Sequence, residues 1–358
     1  MTTSPSRICE TCRVPLLECE WAGDHPVPST KVTSDQITEA SLDLELHADS
    51  YVRWPWAALD AMTGGMRPAT VHYVVGFSGI GKSTFISSAI LRWADQGRRV
   101  DVMPLEIKAS TFRTYLACQA LGVDPGLMLS GDFWREPEPE ALRERVAAEL
   151  RSQIKQPFHD RVRVHGTKDV TVDGLARAAK LAAERGSDIL VVDHIDHIEA
   201  AADRRQHSYE AAVAVNRAAL RIAEEYSLVL VCMSQANQDA LRGTNDHLAK
   251  YHPLRDNHVL MGGEKRRLAY SMIGIYRPTL PMPEGAGDEE REAWKQTMAQ
   301  ARAGEKPAYT ALEPNAVGLN LMKSRNYGGR EGQRVSLTWE HGRIVDRQTL
   351  PYSLRRVS

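Results

Sequence analysis

Residues 76–83, Gly-Phe-Ser-Gly-Ile-Gly-Lys-Ser, constrain this chain more than any other stretch. They fit the pattern G-x-x-x-x-G-K-[ST], which has meaning only after a strand and before a helix. Both flanks agree. The run Val71-His72-Tyr73-Val74-Val75 is rich in β-formers, and apolar residues recur at helical spacing over 85–93. In that context the glycines let the backbone curl, so that successive N–H groups point inward at phosphate oxygens. The helix N-terminus adds its dipole. Lys82 is placed to reach the β- and γ-phosphates, and Ser83 to offer its hydroxyl to Mg²⁺. Gly76, Ser78, Gly79, Ile80, Gly81, Lys82, Ser83 and Thr84 are therefore the candidate nucleotide-binding residues, with ATP and Mg²⁺ as the expected ligands.

Around this motif, strand-like runs fall at 99–103, 162–164, 189–192, 228–233, 272–276 and 317–322, and helical patterns at 112–121, 137–150, 175–185 and 210–226. Strands alternating with helices predict an α/β fold with a mainly parallel central sheet flanked by helices. Residues 281–314 are dense in Pro, Gly and charge, with a helical stretch over 288–303, and read as a surface insertion.

Two carboxylates stand at strand ends. Asp193 closes the clean apolar run 189–192, where a carboxylate beside the phosphate loop can hold the water shell of Mg²⁺. Glu106 follows the strand at 99–103 and could accept a proton from an attacking water. Surface glutamates are common, so spacing alone leaves Glu106 open between base and bystander. Ser234-Gln235 ends the run 228–233, as a γ-phosphate contact or as a strand-end turn.

The whole chain sets broader limits. Its 358 residues predict two domains, or one large domain with an appendage, and 42% apolar residues are ample for a core. A formal net charge of −1 means that any nucleic-acid surface must be local. No run of 18 apolar residues predicts a membrane span, and the first residues lack an apolar signal core. The five cysteines do not form a disulfide framework, which places the chain in a reducing, cytoplasmic compartment. Residues 1–50 differ from the rest and read as a small module or arm with a linker, followed by one domain over 51–350 and a tail over 351–358. In the arm, Cys9-x-x-Cys12 with Cys19 and His25 could make a four-ligand Zn²⁺ site. The Cys19-x5-His25 spacing fits such a site poorly, and free thiols are the alternative.

Together these motifs resemble the C-terminal motor domain of DnaB-type replicative helicases, in the RecA-like superfamily, from about residue 54 to residue 346. Leu59-Asp60-Ala61-Met62-Thr63-Gly64-Gly65-Met66 resembles the lead-in to the P-loop strand. Pro104-Leu105-Glu106-Ile107 resembles the catalytic-glutamate segment, and Asp193-His194-Ile195-Asp196-His197-Ile198 stands where that family has its Walker B aspartate. Ser234-Gln235-Ala236-Asn237 is similar to its polar sensor, and Met322-Lys323-Ser324-Arg325-Asn326 with Gly328 to its late K-x-R-N-G segment. The resemblance implies that Glu106 is the catalytic base and Gln235 the γ-phosphate sensor. It also implies that Lys323 and Arg325 project toward ATP on a neighbouring copy, with Arg325 as arginine finger. A hexameric ring acting on single-stranded DNA is what the family implies, with primase or a loader as a further partner in a bacterial or phage-infected cell.

The likeness departs in places. The family's helical N-terminal domain is replaced here by the short stretch before Tyr51, which points to a phage or prophage form. The DNA-facing loop reads Leu260-Met261-Gly262-Gly263-Glu264-Lys265-Arg266-Arg267, with Leu260 where the family has a basic contact. Gly262 and Gly263 predict a flexible loop able to bind phosphate, and Lys265, Arg266 and Arg267 could supply charge. A solvated basic face is the other reading of that cluster. Two other functions stay in view: a RecA- or RadA-like repair or recombination ATPase, and a non-motor ATP-gated loader or adaptor.

Overall fold

The alternation of strands and helices resolves into one nine-stranded sheet. The structure, a computed structural model, describes residues 51–135, 140–155, 160–166, 169–200, 208–237, 253–259, 262–278, 287–302, 315–325, 330–340 and 343–346. By internal contacts the chain divides into Met1–Ser50 and Tyr51–Ser358, and all that follows concerns the second unit.

The strands are β1 Thr70–Gly76, β2 Val100–Pro104, β3 Val162–Val164, β4 Ile189–Asp193, β5 Val229–Gln235, β6 Ser271–Tyr276, β7 Ala316–Ser324, β8 Arg334–Glu340 and β9 Arg343–Asp346. The helices are α1 Ala57–Thr63, α2 Lys82–Asp95, α3 Ala109–Leu121, α4 Pro125–Ser130, α5 Asp132–Arg135, α6 Glu140–Lys155, α7 Val172–Glu184, α8 Ser208–Glu225, α9 Gly262–Leu268 and α10 Asp288–Arg302. In the sheet the order is β3-β2-β4-β5-β1-β6-β7-β8-β9. Strands β3, β2, β4, β5, β1 and β6 run parallel, and β7, β8 and β9 extend the sheet antiparallel.

Every residue of β4, Ile-Leu-Val-Val-Asp, is buried, as are those of β2. A parallel strand covered by helices on both faces is largely apolar, so β4 reads as an apolar run up to Asp193, whereas β2 buries one charge, Asp101, against His165, Arg185 and Ser187. One face packs against Phe85, Ile86 and Trp93 of α2 and Phe112 and Leu116 of α3. The other packs against Leu175 and Ala179 of α7 and Val215 and Ile222 of α8. Among the described residues no helix is long and apolar enough to cross a membrane.

The lead-in to β1 is sewn into the first core by tryptophans. Trp56 is fully buried, stacks on Phe85 at 4.8 Å and donates its indole N–H to the Ile344 carbonyl at 3.0 Å. It thus ties residues near the start of the unit to β9. Replacing a buried aromatic ring by alanine removes its transfer free energy and leaves a cavity. Trp56→Ala is expected to lower the unfolding free energy by about 3–5 kcal/mol. Urea denaturation reads this directly, and an unchanged midpoint and slope would refute it.

Several pieces escape the sequence patterns, α4, α5 and β9 among them. Helix α1 has seven residues, too few for a periodic signal. Strand β8, Arg-Val-Ser-Leu-Thr-Trp-Glu, buries only Leu337 fully, so its alternation is faint. The segment from Gly262 is not the flexible loop expected of its glycines but the first turn of α9, which ends at Leu268.

Candidate active site

The sheet delivers four strand ends to one place. In the parallel register Gly76 lies beside Gln235 and Pro104 beside Asp193, so β1 ends with β5 and β2 with β4, the second pair two residues short of the first at the same edge of the sheet. A cavity of about 330 Å³ opens there, lined by the phosphate-loop residues Ser78, Gly79, Gly81, Lys82, Ser83 and Thr84. Glu106, Ile107, Tyr115, His194, Gln235, Arg277 and Trp339 complete its wall. The crevice beyond the carboxyl ends of parallel strands is where this architecture binds ligands.

The loop itself needs its glycines. Gly81 caps α2 with φ 100°, a left-handed conformation that disfavours a side chain. At Gly76 a Cβ would fall 2.4 Å from the Ile275 Cγ2 on the neighbouring strand. Lys82 is 6% exposed, and its ammonium donates to the carbonyls of Gly76 at 2.9 Å and Phe77 at 3.0 Å. Burial lowers its pKa, while the carboxylates of Asp193 and Glu106 act to raise it.

Asp193 is 1% exposed. Its Oδ2 accepts from the Ser83 hydroxyl at 3.3 Å, whereas Oδ1 has no hydrogen-bond partner among the described residues. Burial, reinforced by Glu106, pushes the Asp193 carboxyl up to about 6 against the pull of Lys82 and Ser83. A buried carboxylate with an orphaned oxygen, beside a hydroxyl, fits a hard divalent cation. Glu106 is a near neighbour: the N–H groups of Leu105 and Glu106 donate to the Asp193 carbonyl at 2.6 and 3.2 Å. Its side chain is 46% exposed.

Gln235 reaches the cavity from the end of β5. Its backbone N–H donates to Asp196 Oδ2 at 2.8 Å. Asp196 also takes the ammonium of Lys265, which is 1% exposed and donates to the Ser234 hydroxyl at 2.8 Å. Lys265, expected as a source of surface charge, is thus buried in an ion pair with Asp196. The neighbouring cations are engaged as well, Arg266 with Asp256 and Glu331 and Arg267 with Glu264. Gly262 and Gly263 stand in the first turn of a helix rather than in a flexible loop.

Lys323 and Arg325 sit elsewhere. Strand β7 runs against β6, so Ser324 pairs with Ser271 at the start of β6, while Gly76 pairs with Ile275 near its end. The two basic residues therefore lie at the far end of the sheet from the start of their own phosphate loop, roughly 13 Å away by the rise of β6. Both point to one side. Lys323 donates to the carbonyl of Arg266 and Arg325 to that of Arg267 at 2.6 Å. Burial, with Arg325 and Arg266 adding repulsion, lowers the Lys323 ammonium to about 8. Cys9, Cys12, Cys19 and His25 lie outside the described residues, as does Leu260.

Sequence reasoning missed His194, Tyr115, Arg277 and Trp339 as cavity residues. His194 carried the clearest signal, since it follows Asp193 directly at a strand end. Trp339 arrives from the antiparallel extension, which no local pattern places near the loop. A larger groove of about 710 Å³ lies between α8 and α9 and contains none of these residues.

Comparison with known proteins agrees with this geometry. The chain is similar to a solved ATPase domain, with a TM-score of 0.66 at 16% identity over 88% of this chain and 99% of that one. It is also similar to a DnaB-like replicative helicase solved in a study of its interactions with primase. There the TM-score is 0.63 at 16% identity, over 88% of this chain and 66% of the other. No curated protein matches the chain significantly. At such identity the structural likeness speaks for the fold alone. The profile of the family described as DnaB-like helicase C terminal domain, however, matches residues 52–265. That span exceeds half of the chain and contains the phosphate loop, Glu106, Asp193 and Gln235. The chain therefore belongs to the DnaB-like helicase C-terminal domain family.

Proposed function

We propose that this protein hydrolyses ATP at interfaces between its own copies in a hexameric ring and uses the energy to move along single-stranded DNA during replication. The observation that carries the reading is the division of parts. One end of the sheet gathers Lys82, Ser83, Glu106, Asp193 and Gln235, and the other presents Lys323 and Arg325. A second copy would bring the two ends together.

On this reading the loop N–H groups and Lys82 bind the phosphates. Ser83 and Asp193 would hold Mg²⁺, which neutralises charge on the phosphate oxygens when bound. Glu106 takes a proton from the attacking water. Gln235 contacts the γ-phosphate and passes its loss to Asp196 through the backbone hydrogen bond. Arg325 from the neighbouring copy stabilises charge on the transferring phosphoryl group, with Lys323 beside it. A primase or loader partner belongs to the same proposal as a family-level expectation, while zinc binding by Cys9, Cys12, Cys19 and His25 rests on their spacing alone. The basic surface for DNA has lost Lys265, leaving the exposed Arg267 and the segment around it.

Glu106→Gln is expected to lower ATP turnover by about 10²–10⁴-fold while a non-hydrolysable ATP analogue still binds. Turnover near the wild-type rate would remove Glu106 as the base. A strand-displacement assay on a forked duplex tests the motor itself. DNA-stimulated hydrolysis without strand separation would favour a repair or recombination ATPase. Hydrolysis indifferent to DNA would favour a loader or adaptor.

A further inference from the structure

His194 has no part in the reading above, yet it occupies the centre of the site. Its side chain is 3% exposed and its ring lies between two carboxylates. Nδ1 is 3.1 Å from Glu106 Oε2, and Nε2 is 3.4 Å from Asp193 Oδ1. Neither approach is aligned as a hydrogen bond, and neither ring nitrogen has another partner among the described residues. Burying an imidazole with both nitrogens unsatisfied costs free energy that a leucine or methionine of similar volume would avoid. Packing alone is therefore a poor reason for a histidine at this position.

Glu106 supplies a better reason. A general base acts only while its carboxylate stays aimed at the proton it takes. Among the described residues no hydrogen bond holds the Glu106 carboxylate, and half of the side chain faces solvent. The backbones that carry the two side chains are already locked together, since Leu105 and Glu106 both donate to the carbonyl of Asp193, the residue before His194. With the origins fixed, Oε2 already stands 3.1 Å from Nδ1, within hydrogen-bond reach of an Nδ1–H. We propose that His194 is a positioning residue whose Nδ1–H holds the Glu106 carboxylate aimed into the cavity. The inference rests on Glu106 being the base, and it adds the group that keeps that base in place. It requires no proton transfer through the ring.

Three substitutions test it in the full chain, with DNA and Mg²⁺ supplied. His194→Phe keeps the ring volume and removes both nitrogens. His194→Asn keeps a donor near Nδ1, and His194→Gln puts one near Nε2. His194→Phe is expected to lower kcat by about 10²-fold, the scale of a misplaced reacting group, with KM and the affinity for a non-hydrolysable ATP analogue nearly unchanged. His194→Asn should recover most of the loss and His194→Gln should not. Wild-type turnover in His194→Phe would overturn the proposal, as would equal impairment in all three. If His194→Phe does not fold, judged by its thermal unfolding and oligomer mass, the contrast between Asn and Gln decides alone. Failure of the Glu106 reading is seen separately, as retained turnover in Glu106→Gln.

Discussion

Lys82→Ala is expected to abolish ATP turnover, with a loss beyond about 10³-fold. The side chain is nearly buried, and its ammonium is already drawn to the mouth of the loop by two main-chain carbonyls. At a buried position such as that of Lys82 a fixed cation acts on phosphate charge far more strongly than in solution. Its removal also takes one donor from each of the carbonyls of Gly76 and Phe77, leaving them only the N–H groups of Ala236 and Ile80. Both binding and chemistry should therefore suffer. Phosphate release and equilibrium binding of a labelled nucleotide measure the two separately. Turnover within tenfold of wild type would mean that the cavity is not the site of hydrolysis.

Arg325→Ala should behave differently. The residue is exposed, its guanidinium donates to the Arg267 carbonyl, and it lies at the opposite end of the sheet from its own phosphate loop. Truncating an exposed side chain of this kind costs little stability. Nucleotide binding to the same copy should remain close to wild type. Turnover should fall by about 10³–10⁵-fold, the usual scale of an arginine finger. Mixing sharpens the test. Lys82→Ala and Arg325→Ala are each inactive alone, but a mixed assembly contains interfaces that join an intact loop to an intact arginine. Partial recovery of turnover on mixing is the expected result. No recovery, or equal loss of nucleotide binding in both variants, would mean that Arg325 does not act across an interface.

The contrast between Lys82 and Lys265 shows how far a local pattern reaches. Lys82 was legible because its role depends on neighbours within one turn of chain: a strand before, glycines beside it and a helix after. Lys265 sits in a Lys-Arg-Arg run that looks like a solvated face, and its buried state depends on Asp196, 69 residues away. Glu106 was open on spacing and gained its role only from a resemblance. His194 was visible as the residue after Asp193, but its place between two carboxylates follows from the register of β2 against β4.

What the amino-acid order settled by itself is the set of parts: the phosphate loop, the buried parallel strands and the polar residues at their ends. These follow from short-range causes, namely glycine's conformational range, the burial of apolar runs and the periods of helix and strand. The tertiary structure alone decided which ends meet. Parallel pairing brought Glu106, Asp193, His194 and Gln235 to one edge of the sheet, the reversal at β7 carried Lys323 and Arg325 to the other, and Asp196 claimed Lys265. Those outcomes depend on strand order and register, which are set by packing between residues far apart in the chain and leave no local trace.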